Sequence, residues 1–321
     1  MLNQTDLIKL SKGDQVDHFL LVKKSELKTG KTQKQYLSLE LGDRSLSLQA
    51  FMWDDFYNVF LDVKPGSIVK VKGAIEEYQN QLQLKVNKIT TACSLDDISI
   101  EDFLPVSKRN FEKMKNELED RISNISNKYL KQLLSEMLSG SLYEKYLKVP
   151  AGKAWHHSYI HGLLEHTLEI VAVCDLVCGF HPEANRDLLI AGAILHDFGK
   201  TEELSVESAF DYTDKGRLLG HISIAALLVN DKINLIENFP DQLKNELMHL
   251  ILSHQGKLEQ ASPVEPKTLE AIILYQADEL SAKANAYKSA IAAEAKNESG
   301  WTKFLPLINT PLFITDKFKN E

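Results

Sequence analysis

Leu188-Leu189-Ile190-Ala191-Gly192-Ala193-Ile194-Leu195-His196-Asp197-Phe198-Gly199-Lys200 is an apolar run that ends on a histidine and a carboxylate. The run has no polar face, so it reads as a helix buried all round. A His and an Asp at the end of such a helix are costly to bury unless something pairs with them. A divalent metal would pair with both, taking nitrogen from a neutral imidazole and oxygen from the carboxylate. Gly199 is expected to turn the chain away, and Lys200 to set a catalytic cation beside Asp197. For a lone His-Asp pair, the commoner reading is a satisfied core histidine next to a capping carboxylate.

Four more stretches bear on that choice. His166 lies in the apolar run Gly162-Leu163-Leu164-Glu165-His166-Thr167-Leu168, and His221 in Gly220-His221-Ile222-Ser223 at a helix start. His254 ends Leu250-Ile251-Leu252-Ser253-His254, and Asp278 sits inside Leu274-Tyr275-Gln276-Ala277-Asp278-Glu279-Leu280. Five helical segments therefore each carry a metal-competent residue at or near an apolar face. The ordered series, over residues 156 to 290, resembles the HD-domain superfamily of metal-dependent phosphohydrolases. The resemblance implies an all-α domain in which His166, His196, Asp197 and Asp278 are the core ligands. It matches His221 and His254 to the extra histidines of members that hold two metals. Asp197, central in the order, is the natural bridge. His166, His196 and Asp278 would go with one ion, and His221 and His254 with the other. The mixed nitrogen and oxygen set suits Mn²⁺, Fe²⁺ or Zn²⁺ better than Mg²⁺, and Mn²⁺ is the first choice.

At 321 residues the chain has room for two domains. Its 44% hydrophobic and 26% charged residues are ordinary for a globular protein. No basic-then-apolar leader and no long apolar span is present, so no membrane partner is expected. The cysteines (Cys93, Cys174, Cys178) are too few for a disulfide framework and fit a reducing cytoplasm. Cys174 and Cys178, four apart on a helix, read as free thiols rather than metal ligands. Net charge is −8, which speaks against non-specific coating of nucleic acid. The charge is uneven: residues 1–95 hold 13 Lys/Arg against 11 Asp/Glu, and the remainder 24 against 34.

Residues 1–95 read as strands. Phe19-Leu20-Leu21-Val22 is a short apolar run, while Leu37, Leu39, Leu41 and then Leu46, Leu48, Ala50, Met52 alternate with period two around a Gly42-Asp43-Arg44 hairpin. A short helix is expected from Asp54 to Leu61, then strands at Ile68–Ala74 and Leu82–Val86 around Glu77-Tyr78-Gln79-Asn80. Five strands with a helix after the third is the layout of an OB-fold barrel, and the segment resembles the OB nucleic-acid-binding domains. With Leu48, Ala50 and Met52 inside, Phe51 and Trp53 point outward, where they and Tyr78 could stack on bases. Lys70, Lys72, Lys85 and Lys88 are candidates for phosphate contact. The alternative is that the two aromatics pack on the next domain and the lysines are a solvated face.

Residues 96–155 read as a helical connector with stripes at Phe111, Met114, Leu118, Ile122 and at Leu130, Leu133, Leu134, Met137, Leu138. The metal domain is placed at 156–296 and a tail at 297–321, whose apolar Trp301–Ile314 is expected to dock in extended form. His156 and His157, adjacent on a turn, read as cleft-lining or solvated, and His161 as a residue that could reach the substrate phosphate. Lys215 and Arg217 are candidate phosphate clamps, because the Arg fork matches phosphate oxygens.

The expected whole is a multidomain α+β chain, an N-terminal OB-fold barrel followed by an all-α HD domain. That arrangement resembles the YhaM family of bacterial 3′→5′ exoribonucleases. The resemblance implies a Mn²⁺-dependent enzyme that shortens single-stranded RNA, with single-stranded DNA a second candidate, releasing nucleoside 5′-monophosphates. The residues themselves fix neither RNA over DNA nor polarity, and leave a homo-oligomer open. Two other readings stand beside it: a phosphohydrolase of free or cyclic nucleotides, and a non-catalytic DNA-binding replication accessory factor. The full ligand set speaks against the last.

Overall fold

Period-two alternation in the N-terminal segment resolves into five strands: β1 (Gln15–Thr29), β2 (Gln35–Gly42), β3 (Ser47–Met52), β4 (Ile68–Tyr78) and β5 (Gln81–Thr91). The computed structural model describes residues 4–30, 33–79, 81–93, 96, 98–206, 210–295, 299–306 and 308–319. The strands close into a barrel in the order β1-β2-β3-β5-β4. The apolar run at Phe19 is only the middle of a much longer strand. β1 pairs β4 through Gln15–Leu21 and β2 through Leu21–Thr29, with its register shifting between Val22 and Lys24. One strand thus serves two neighbours by bending, as a barrel corner requires. The seam is a parallel β3–β5 contact of Gln49↔Gln83, Ala50↔Leu84 and Phe51↔Lys85. Leu20, Leu39, Leu41, Ala50, Val69, Val71 and Leu84 fill the interior. Helix α1 (Phe56–Asp62) lies between β3 and β4, and its Phe56, Val59 and Phe60 pack against that interior.

The chain divides into two units, Met1–Val106 with Ser205–Asp211, and Ser107–Leu204 with Tyr212–Glu321. The second unit is helical. The two connector stripes become α2 (Phe111–Ser123) and α3 (Lys128–Met137), and a further helix absent from the sequence reading, α4 (Gly140–Lys148), follows. Then come α5 (Gly162–Phe180), α6 (Arg186–Leu195), α7 (Lys200–Glu203), α8 (Asp214–Ile233), α9 (Asp241–Ser253) and α10 (Leu269–Ala293). Every residue of α6 from Leu188 to Leu195 is buried, as its unbroken apolar run requires. Its C-terminal carbonyls meet Tyr146 on α4, whose hydroxyl donates to Ile194 O at 3.3 Å and whose ring lies against Phe198.

Two expectations are corrected here. Gly199 does not turn the chain through a special conformation, because its φ of −61° and ψ of −20° are ordinary helical values. Its requirement is steric: a Cβ there would stand 2.0 Å from the carbonyl oxygen of His221. The tail also does not run as an extended strap. It folds back on itself through antiparallel bridges Trp301↔Phe313 and Leu305↔Thr310, burying Thr302, Leu312 and Ile314. Asn80 and the 296/297 boundary lie outside the described residues. No helix among the described residues is long and apolar enough to cross a membrane.

Candidate functional site

Six side chains from five helices converge on one point. His166 projects from α5, His196 and Asp197 follow the last turn of α6, His254 follows α9, and Asp278 comes from α10. His221 needs a break in α8. Gly220 there has φ +69° and ψ 152°, a conformation that favours glycine, so a new helical segment begins at His221. All six are brought together: His166, His196 and Asp197 form one potential ligand group, His196, His254 and Asp278 another, and Asp197, His221 and His254 a third.

Asp197 divides the set. Its Oδ2 lies 3.3 Å from His196 Nε2 and 3.7 Å from His166 Nε2, and His166 Nε2 is also 3.0 Å from Asp278 Oδ1. Its Oδ1 lies 3.4 Å from His221 Nε2 and 3.6 Å from His254 Nε2. Lys200 Nζ donates to Oδ2 at 2.5 Å.

Each imidazole is fixed from behind. Nδ1 of His196 meets Ala193 O at 2.8 Å and Nδ1 of His254 meets Ile251 O at 2.7 Å. A ring nitrogen facing a carbonyl must carry the proton, which leaves Nε2 as the inward lone pair. His166 Nδ1 meets Ser281 Oγ at 3.0 Å, and that hydroxyl donates to Glu169 Oε2 at 2.7 Å. Glu203 Oε1 accepts both from His221 Nδ1 at 3.1 Å and from the His221 backbone at 2.9 Å, so one carboxylate aims the ring and caps the new helical segment. The inward Nε2 atoms of His166, His196 and His221, with Oδ1 of Asp197, are buried and lack hydrogen-bond partners. Four such atoms in one place are costly unless a cation satisfies them.

The charge states suit that use. Burial drives the His166 imidazole well below its usual range, and burial with His196 nearby pushes His254 down to about 3. Burial alone would raise Asp197, but Lys200 and His196 hold its carboxyl well below the ordinary value. Burial opposes protonation of His196 too, yet the Asp197 charge lifts it above the usual imidazole value. Neutral His166 and His254 imidazoles beside an ionised carboxylate are a mixed nitrogen and oxygen donor set for a divalent ion, and a bound cation would displace the proton that Asp197 draws to His196.

Beside the centre opens a cleft of about 470 Å³ whose lining includes Lys200, Glu203, His221, His156, Trp155 and Tyr212. His156 therefore lines the cleft, and burial holds its ring neutral, pushed down to about 2. His157 is neither solvated nor in the cleft lining. It is fully buried, its Nε2 3.2 Å from Glu169 and its backbone nitrogen donating to Asn285 Oδ1 at 2.8 Å. His161 does not join the centre: its Nδ1 meets Leu147 O at 2.6 Å and its ring stacks on Phe111 at 4.4 Å. Lys215 and Arg217 do not line the cleft either. Lys215 pairs with Glu202 at 3.4 Å, and Arg217 is exposed on the first turn of α8. Burial raises the Cys174 thiol, and neither Cys174 nor Cys178 joins a metal-competent group among the described residues.

On the barrel, Phe51, Trp53 and Tyr78 line one groove of about 470 Å³ together with Thr29, Gly30, Tyr36 and Gln83. Tyr36, which the sequence reading passed over, stacks on Trp53 with ring centres 4.4 Å apart and holds it on the surface at 40% exposure. Tyr78 is the last residue of β4. Lys70 and Lys72 are not part of this groove. They stand across β1 from Asp17, at 3.4 and 3.2 Å, and Lys70 also caps the Phe19 ring.

A closed barrel preceding a helical unit with a His/Asp centre defines the class, a nucleic-acid-binding OB domain joined to an HD-type metal-dependent hydrolase domain. Comparison with known families agrees: the OB-fold nucleic acid binding domain matches residues 21–92 and the HD domain matches residues 163–283. Proteins described as 3′-5′ exoribonuclease YhaM are similar along most of their length. That of Listeria monocytogenes is 34% identical over 285 residues, covering 87% of this chain and 88% of the relative. That of Bacillus subtilis is 35% identical over 277 residues, covering 85% and 86%. The chain belongs to the YhaM family. Among solved structures, a domain of replication protein A from Methanococcus maripaludis aligns with 27% of this chain and 92% of its own, at 24% identity and a TM-score of 0.23.

Proposed function

We propose that the protein is a 3′→5′ exoribonuclease that uses two divalent ions, Mn²⁺ first among them, to release nucleoside 5′-monophosphates from single-stranded RNA. The observation that carries this is the division at Asp197, with Oδ2 turned to His166 and His196 and Oδ1 turned to His221 and His254. His166, His196, Asp278 and Asp197 Oδ2 would hold one ion, and His221, His254 and Asp197 Oδ1 the other. Bound there, the ions supply Lewis-acid stabilisation to the attacking water and to the departing 3′ oxygen.

The chain's own groups do the rest. Glu203, Ser281 and the carbonyls of Ala193 and Ile251 keep each imidazole in the tautomer that presents Nε2. Lys200, fixed on Asp197 and lining the cleft, offers positive charge to a phosphate in a strongly acidic half of the chain. The barrel supplies the grip on the strand. Its Phe51, Trp53 and Tyr78 present π faces that accept any base, which suits an enzyme that must pass over every sequence. Single-stranded DNA is a second substrate on this reading, since stacking on a base does not distinguish the two sugars.

The test is purified full-length protein with Mn²⁺ on RNA and DNA labelled at the 5′ end, and on cyclic nucleotides. A ladder shortening from the 3′ end with 5′-monophosphate products is expected. Turnover of cyclic nucleotides alone would replace the reading with a nucleotide phosphohydrolase. Metal analysis should return about two ions per chain, falling to one in a His221→Ala, His254→Ala double variant.

A further inference from the structure

Of the six candidate metal ligands, only His221 lines the cleft beside them. Much of the remaining lining is the segment Ala151–His156 with Tyr212 and Gln255, and it includes two aromatic rings, Trp155 and Tyr212. Tyr212 is 42% exposed, although a ring of that size is normally buried where it serves packing alone. Lys153 Nζ stands 5.7 Å from its ring centre, within cation–π range, and so restrains the ring.

The segment carrying Trp155 is held rather than loose. Its two ends are tied by the Ala151 N–H donating to His157 O at 3.2 Å, and Tyr159 N donates to the same oxygen at 2.9 Å. His157 is in turn anchored through Asn285 and held in the left-handed region at φ +43°. Below it, the His161 N–H donates to Lys148 O at 3.0 Å. The fully buried His157 thereby fastens a short loop that places a half-buried aromatic side chain, Trp155, in the cleft beside the metal site. The cleft volume of about 470 Å³ lies inside the roughly 300–1,000 Å³ typical of sites for small organic ligands.

We propose that this cleft seats the 3′-terminal nucleotide of the substrate, with Trp155 and Tyr212 taking its base while the scissile phosphate lies at the metal centre. The inference rests on the exoribonuclease reading and adds to it a terminal-base subsite separate from the barrel groove. Such a subsite explains how a terminus is recognised, since an end is the one place where a base can enter a side cleft without dragging chain on both sides. The rings offer stacking rather than a pattern of donors and acceptors, so all four bases are accepted.

Two short RNAs of equal sequence test it, one ending in a normal nucleotide and one ending in an abasic ribose. Wild-type protein is expected to show at least tenfold higher kcat/KM on the first, a difference of 1.4 kcal/mol. In Trp155→Ala and in Tyr212→Ala that ratio should fall to below about threefold, with cleavage of the abasic RNA close to wild type. Trp155→Phe, which keeps a ring in place, should retain most of the preference and separates lost stacking from lost folding. The proposal is overturned if wild type cleaves both RNAs equally, or if both alanine variants keep the wild-type ratio. Wild-type protein that cleaves neither RNA while hydrolysing cyclic nucleotides would instead remove the exoribonuclease reading, and the subsite with it.

Discussion

Replacing Gly199 with alanine is the sharpest perturbation the fold offers. In an exposed helix a Gly to Ala change stabilises by about 1 kcal/mol, and Gly199 already has helical dihedrals. Here the added Cβ would stand 2.0 Å from His221 O, 2.7 Å from Ala225 N and 2.8 Å from His221 C. All three are backbone atoms, so no side chain can swing aside. Ordinary contact begins at 3.4 Å, and α8 must therefore withdraw by the 1.4 Å between 2.0 and 3.4 Å. Overpacking of this kind costs about 1–3 kcal/mol, which reverses the sign of the helical gain. The withdrawal also carries His221 away from Asp197 Oδ1, now 3.4 Å from its Nε2, and metal ligands tolerate displacements of only about 0.2 Å. Gly199→Ala should therefore melt several degrees lower and hold one ion per chain after dialysis, with activity lost accordingly. Calorimetry and elemental analysis on the same sample decide it. A variant that melts at or above wild type with two ions bound would refute the reasoning, because the intrinsic alanine gain would then have acted unopposed.

Asp197→Ala, which removes both the shared carboxylate and the partner of Lys200, should abolish hydrolysis and leave binding of single-stranded RNA by filter retention within about twofold; more than a few per cent of residual turnover would dismiss the two-ion arrangement. Trp53→Ala should weaken binding of long RNA by about 1–3 kcal/mol and leave the KM of a dinucleotide unchanged, in fluorescence anisotropy and steady-state assays respectively. Glu202 is held below its usual carboxylate value by Lys145 at 2.7 Å and by Lys215. A depressed carboxylate adds stability above its unfolded pKa and loses it as pH falls through the folded one. Glu202→Gln should therefore cost about 0.2–1 kcal/mol at pH 7 and progressively less as the pH falls below the ordinary glutamate value, in denaturant titrations across that range.

The cluster was legible because its members are anomalies: histidines and aspartates at the ends and on the faces of apolar helices must be paired with something. The second layer left no such mark. Ser281 and Glu169 lie more than a hundred residues apart, and only the packing of α5 on α10 makes them one hydrogen-bonded chain behind His166. Glu203 reads as one more charge after Lys200 until the break at Gly220 brings His221 to it. His161 misled because spacing along the chain was taken for direction, whereas its position before α5 aims the ring at Phe111. Lys70 and Lys72 misled for a related reason. Alternation says that they face outward, but only the β1–β4 register reveals Asp17 opposite them. In the barrel the strands were visible and their lengths were not, because the polar outer half of β1 carries no apolar signal. Helix α4 begins at a glycine and is only nine residues long, so it passed as connector.

The seam of the barrel has a dynamic consequence. Between β3 and β5 only three residue pairs join the strands, whereas β4 and β5 are joined by ten pairs along nearly their whole length. The seam is thus where the barrel should breathe first, and its amides should lose hydrogen-exchange protection ahead of the rest. Phe51 on one side of it and Gln83 on the other both line the aromatic groove. An RNA strand lying in that groove would bridge the seam and act as a clasp, so occupancy would slow exchange at the strand backbones beneath it. The barrel's least protected joint would then coincide with the proposed binding groove.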